Sequence, residues 1–196
     1  MPRTKEQNMA IRTEKKQLIM DSALQLFAEN GFEHTSIDSI ARHASISKGL
    51  LYSYFKSKDD LLCQILASGM QVFTNNIHAE MTMEGFIAGI EKSFDHIMEN
   101  RNFFKLYTII SVQPKVTQNL GNLVNEHGGS HNHIASLFQK YFGERAAQEL
   151  LLLSVIMKGY SIISTFGDQQ NVASFDILKK TVVDFVKERY NFKKTV

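Results

Sequence analysis

Apolar positions recur at helical spacing along almost the whole chain. Ile19, Ala23, Leu26 and Phe27 share one face of a segment running from about Met9 to Asn30, with Lys15, Lys16 and Gln25 off that face. Gly31, directly after Asn30, predicts a left-handed C-terminal cap. Thr35 then reads as the N-cap of a short second helix, with Asp38 as its capping-box partner and Ile37, Ile40 and Ala41 turned inward. The pattern breaks at Ala44-Ser45-Ile46. Ser47 offers a new N-cap for a third helix over about 48–54, which carries Leu51 and Phe55 toward the core, and Ser57 with Asp60 caps a fourth. Three short capped segments in close succession describe a compact three-helix unit. Longer helices follow over about 58–79, 83–99, 101–112, 115–125, 131–142, 144–166 and 174–190, interrupted at Pro114 and at the polar stretch from Glu126 to Ser130.

Composition sharpens this picture. Two prolines in 196 residues, many Leu, Ile, Lys and Glu, and long stretches without turn signals predict an all-α fold, with a three-helix domain at 1–57 and a larger helical domain at 58–196. The net charge of +2 is unevenly spread: residues 1–58 hold nine Lys and Arg against six Asp and Glu, which suits phosphate binding by the N-terminal unit. Cys63, the single cysteine, cannot form an intrachain disulfide and reads as a small buried hydrophobe. The N-terminus lacks the apolar stretch of a secretory signal, and the longest apolar region, Leu150 to Met157, is far shorter than a bilayer span, so a cytoplasmic protein without a membrane partner is expected.

Two short helices joined by a tight turn present the second of them to a DNA major groove. The residues from Ile19 to Leu62, notably Ser22–Phe27, Asn30-Gly31-Phe32, Thr35-Ser36-Ile37, Ile40-Ala41 and the run Ser47-Lys48-Gly49-Leu50-Leu51-Tyr52-Ser53-Tyr54-Phe55-Lys56-Ser57-Lys58, closely resemble the DNA-binding domain of the TetR (tetracycline repressor) family. The resemblance implies a helix-turn-helix regulator and gives its residues roles. Thr35 and Ser36 would offer hydroxyls and N–H groups to a phosphate. Ser47 and Lys48 open the recognition helix, with Lys48 reaching a guanine edge or a phosphate. Gly49 permits close approach, Tyr52 resembles the family's phosphate-contacting tyrosine, and Ser53 and Tyr54 sit where contacts vary between members. Lys58 resembles a phosphate anchor. Ser45 stands where a glycine is common in the turn, and Leu50 where threonine is frequent.

Beyond the motif, a helix around Leu150–Ile163 is apolar on most sides, with Ser154, Lys158, Ser161 and Thr165 as a narrow polar strip, and so needs burial on two sides. By position it and the last helix resemble the family's dimerising pair, which makes Leu152, Ile156, Tyr160, Ile163, Leu178, Val182 and Phe185 the expected homodimer interface. Phe86, Ile90, Phe94, Phe103 and Phe104 would pack any helical core. The resemblance adds an apolar effector cavity among them, with Tyr107, Thr108 and Ser111 as orienting groups. His127, His131 and His133 beside Glu126 have a spacing that a metal could use, but exposed histidines are ordinary in a Gly-rich link and no metal or other cofactor is expected. Glu91, Asp95 and Glu99 read as a solvated stripe. No nucleophile, phosphate-loop or zinc-protease motif argues for an enzyme. The expected partners are operator DNA, a second copy of the chain and a small-molecule effector. A constitutive dimeric DNA-binding protein and a helical enzyme or carrier with a relic helix-turn-helix are the alternatives.

Overall fold

The computed structural model describes residues 4–77, 82–111, 129–167 and 172–190, and every regular element among them is a helix. The chain divides into two units, residues 1–66 and 67–196. The helix expected at 115–125, Pro114, Glu126 and His127 lie outside the described residues.

In the first unit, α1 spans Lys5–Asn30, four residues earlier than the apolar pattern implies. The extension follows from a cap that periodicity does not register: the Thr4 side chain accepts from Gln7 N, and the Gln7 side chain accepts from Thr4 N. Gly31 ends the helix with φ +83°, but its ψ of 154° is extended, not left-handed helical. α2 (Ile37–His43) is capped by Ser36 with Ser39 as its box partner, not by Thr35 with Asp38. α3 (Lys48–Tyr52) is capped by Ser47 as expected and stops two residues short of Tyr54. α4 (Lys58–Ile77) begins with Ser57 Oγ accepting from Asp60 N, while the Asp60 carboxylate accepts from Lys56 N. Ile19, Ala23, Phe27, Ile40, Leu51, Phe55, Leu61 and Leu62 close over one another as the core.

The second unit contains α5 (Met83–Glu99), α6 (Arg101–Ser111), α7 (Gly129–Phe142), a 3₁₀ turn at Gly143–Arg145, α8 (Ala146–Phe166) and α9 (Val172–Tyr190). α8 is the central element and packs on α5, α6, α7 and α9. Phe94 of α5 meets Tyr160 of α8 at 4.4 Å between ring centroids, and Phe86 meets Phe138 of α7 edge-on at 5.0 Å. α4 supplies Gly69, where a Cβ would fall inside the Phe103 ring, so only glycine lets that ring lie on the helix backbone. Ion pairs bind α9 to its neighbours. Arg189 donates twice to Glu149 of α8 at 2.8 Å, and two acids of the expected stripe, both well solvated, also hold α9 lysines: Glu91 pairs with Lys187 at 3.2 Å and Asp95 with Lys179.

The apolar stretch Ala135–Phe166 is longer than the Leu150–Met157 run suggests, and by length and composition alone it could cross a membrane. The 3₁₀ turn divides it, however, and α8 buries an ion-paired Glu149 with Leu153, Tyr160 and Ser164 inside the helical unit. That pattern belongs to the core helix of a globular unit.

Candidate nucleic-acid interface

α2 and α3 are joined by a turn that Ser45 enters with φ +52°, keeping the left-handed backbone that a glycine would adopt without strain. The turn is held by Ser45 N donating to Arg42 O and Ile46 N to Ala41 O. α3 is thereby fixed with one side inward through Leu51 and the other wholly outward. Ser47, Lys48, Gly49, Leu50, Tyr52 and Ser53 are all exposed, and Ser36 at the start of α2 is exposed as well.

Two features of this surface have no use inside the domain. Leu50 and Tyr52, 38% and 47% exposed, place apolar and aromatic surface in water. A Cβ added to Gly49 meets nothing within 4 Å, so no neighbour in the fold requires the missing side chain. Lys48 reaches back to Asp38 at 3.1 Å, which favours its charged form and raises its pKa. Ser53 spends its hydroxyl on Leu50 O, and Tyr54 is half-buried under the Arg12 guanidinium, 5.1 Å from the ring centre.

Two expected DNA-contacting residues are used differently. Thr35 is buried, its hydroxyl donating to Gly31 O at 2.8 Å and Leu26 O at 3.2 Å and its N–H to Phe32 O, so neither group faces outward. Lys58 is half-buried. Its ammonium donates to Phe32 O at 2.8 Å and Thr35 O at 3.0 Å, with Glu33 O at 3.4 Å and the Phe32 ring centre at 4.3 Å. It pins the α1–α2 turn to the start of α4, a role that spacing along the chain does not reveal.

In the second unit Phe86, Ile90, Phe94, Phe103 and Phe104 are buried, while Tyr107, Thr108 and Ser111 are half-buried on α6. Tyr107 stacks on Phe103, and burial pushes its phenol pKa up, keeping the hydroxyl neutral. Ser111 donates to Thr108 O. Of the expected interface residues, Ile163 and Phe185 are exposed and Leu152, Ile156, Leu178 and Val182 are half-buried, but Tyr160 is only 2% exposed because its ring fills space against Phe94. The polar strip is divided too: Ser161 and Thr165 face inward, and Leu151, Val155, Ile162 and Phe166 stand in solvent on α8 with Ile177 on α9. Cys63 is half-buried, and burial with Asp59 and Asp60 nearby raises its thiol pKa, which favours the neutral thiol. Among the described residues no three His, Cys, Asp or Glu side chains gather as a metal site.

Residues 19–65 match the family described as bacterial regulatory proteins, tetR family. The chain is 49% identical over 53 residues to the uncharacterized HTH-type transcriptional regulator YuxN of Bacillus subtilis (27% of this chain, 18% of that protein). It is 35% identical over 79 residues to the HTH-type transcriptional regulator HbdR of Aromatoleum sp. strain CIB (40% of this chain, 34% of that protein). The chain thus matches at most about a third of the length of these two curated relatives. The transcriptional regulator FadR from Bacillus subtilis, solved in complex with stearoyl-CoA, shares the fold with a TM-score of 0.71 at 17% identity, over 87% of this chain and 96% of that one.

Proposed function

We propose, from the match of residues 19–65 to the tetR family of bacterial regulatory proteins, that the chain is a repressor that binds a palindromic operator as a homodimer and is gated by a small, largely apolar effector. The observation that carries the reading is the outward face of α3. Gly49 is open to approach, Lys48 supplies a movable cation at the helix start, and Leu50 and Tyr52 offer a thymine-methyl contact and a phenol. Ser36 and Ser47 sit at helix N-termini, where N–H groups favour a phosphate.

Dimerisation is supported by the solvent-facing apolar rows of α8 and α9, since Leu151, Val155, Ile162, Phe166 and Ile177 together form the kind of surface a soluble monomer rarely keeps. A two-fold axis then sets two recognition helices roughly 34 Å apart, one turn of DNA. The effector reading rests on the half-buried residues Tyr107, Thr108 and Ser111 beside buried aromatics of α5 and α6, and the stearoyl-CoA bound by the Bacillus FadR, whose acyl chain is apolar, supports a ligand with an apolar part.

The direct test is Gly49→Leu, with affinity for a selected duplex read by fluorescence anisotropy at fixed salt. A Cβ at this position meets no neighbouring atom within 4 Å and the site faces solvent, so the fold should be retained and duplex binding abolished. A variant that binds as well as the parent would show that α3 does not enter the groove.

A further inference from the structure

α1 is much longer than its domain requires. Full burial begins at Ile19, and of the fourteen residues Lys5–Leu18 all but Ile11 and Lys16 are exposed. At 1.5 Å per residue this exposed part is about 20 Å of helix with no apolar stripe to hold it. Its charges are sorted by side. At 100° per residue, Lys5, Arg12, Lys15 and Lys16 fall within about one third of the circumference, whereas Glu14 lies opposite and Glu6 at the flank. The basic side joins the α3 face directly: Arg12 lies over the Tyr54 ring with Nη2 3.5 Å from Ser53 O, and Lys16 lies 5.8 Å from the centre of the Phe55 ring.

We propose that the exposed half of α1 is a second nucleic-acid contact, a basic arm that lies along the phosphate backbone flanking the groove read by α3. The inference rests on the DNA-binding reading above and adds to it a surface outside the helix-turn-helix. Charge complementarity and continuity with the α3 face carry it. Fold stability accounts for only part of the sorting: Arg12 and Lys16 lie against the Tyr54 and Phe55 rings, whereas Lys5 and Lys15 stand exposed. A lipid surface fits less well, since the basic side offers Met9 as its one large apolar residue.

The test is the salt dependence of binding to a mixed-sequence 30-base-pair duplex, with the full-length chain. Each phosphate that is no longer neutralised flattens the slope of log affinity against log salt by about 0.9. Lys5→Gln/Lys15→Gln removes two exposed charges and is expected to lower the slope by about that amount for each phosphate the two lysines engage, weakening all sequences alike. Ala10→Glu makes a unit charge change on the opposite side of the same helix and is expected to leave the slope nearly unchanged. An unaltered slope in the lysine variant, or an equal effect of Ala10→Glu, overturns the oriented arm while leaving α3 recognition standing. Parent protein that binds no duplex overturns both readings. Binding to phosphatidylserine vesicles that needs Lys5 and Lys15, with an unaltered duplex slope, assigns the arm to a membrane instead.

Discussion

Lys48 and Asp38 are both largely exposed, and their 3.1 Å pair bridges the starts of α2 and α3. Such a pair adds little to folding, but a guanine edge or phosphate must compete with Asp38 for the ammonium. Lys48→Ala should therefore weaken operator binding about ten-fold or more, and Asp38→Asn should strengthen it by freeing the cation; anisotropy titrations at one salt concentration measure both. If neither substitution moves affinity, Lys48 does not touch DNA. Ser45 makes the second residue-scale prediction. Its φ of +52° is a conformation in which a side chain is strained, so Ser45→Gly should stabilise the protein by about 0.5–1 kcal/mol and Ser45→Val should destabilise it, read as shifts in the urea midpoint at constant slope. The departure from glycine is visible in the sequence; that the backbone keeps its left-handed turn is not.

Local signals locate the helices well because capping and periodicity are local. Ser47 and Ser57 cap where expected, and α5 spans 83–99 in pattern and structure alike. The differences arise where two hydroxyls compete or a partner is distant. Thr35 and Ser36 are equally good caps by residue type, and Thr35 does not take the role because its hydroxyl is drawn inward to Gly31 and Leu26 carbonyls. Lys58 finds its carbonyl partners more than twenty residues away. Lys58→Met should therefore destabilise the fold by about 1–3 kcal/mol, the cost of stranding part-buried carbonyls, whereas a pure phosphate anchor would leave the urea midpoint in place. The α8–α9 clasp gives a pH signature. Arg189 holds the Glu149 carboxylate below its ordinary pKa of 4.5. A carboxyl depressed in the folded state contributes stability above its unfolded pKa and loses it as pH falls through the folded value. Stability should drop below about pH 4.5 in the parent and drop less steeply in Glu149→Gln, itself less stable at pH 7; parallel urea midpoints for the two proteins across pH 3–7 would contradict this.

For the whole molecule, the two-unit helical organisation is legible from turn signals and composition, but the outward face of α8 is not. An all-apolar helix gives periodicity no contrast, so position along the chain puts Tyr160 at the interface although its ring fills the core, and it does not single out Leu151 and Val155, which are 66% and 60% exposed. Glutamate at those two positions should leave the single chain folded, since neither side chain supports the interior, while a dimer would have to bury the charges and dissociate; sedimentation at micromolar concentration distinguishes the outcomes. On the proposed effector reading, Thr108→Phe, which adds bulk next to Tyr107, should abolish the effector response and keep DNA binding, removing a coupling of about 1–3 kcal/mol. The proposed function depends on the chain reading DNA with two symmetric heads, and selection of bound duplexes from a random-sequence pool tests that most directly. The account predicts an enriched palindrome whose half-site centres lie about 10 base pairs apart, one helical turn; an enriched site without two-fold symmetry, or no enrichment at all, would contradict it.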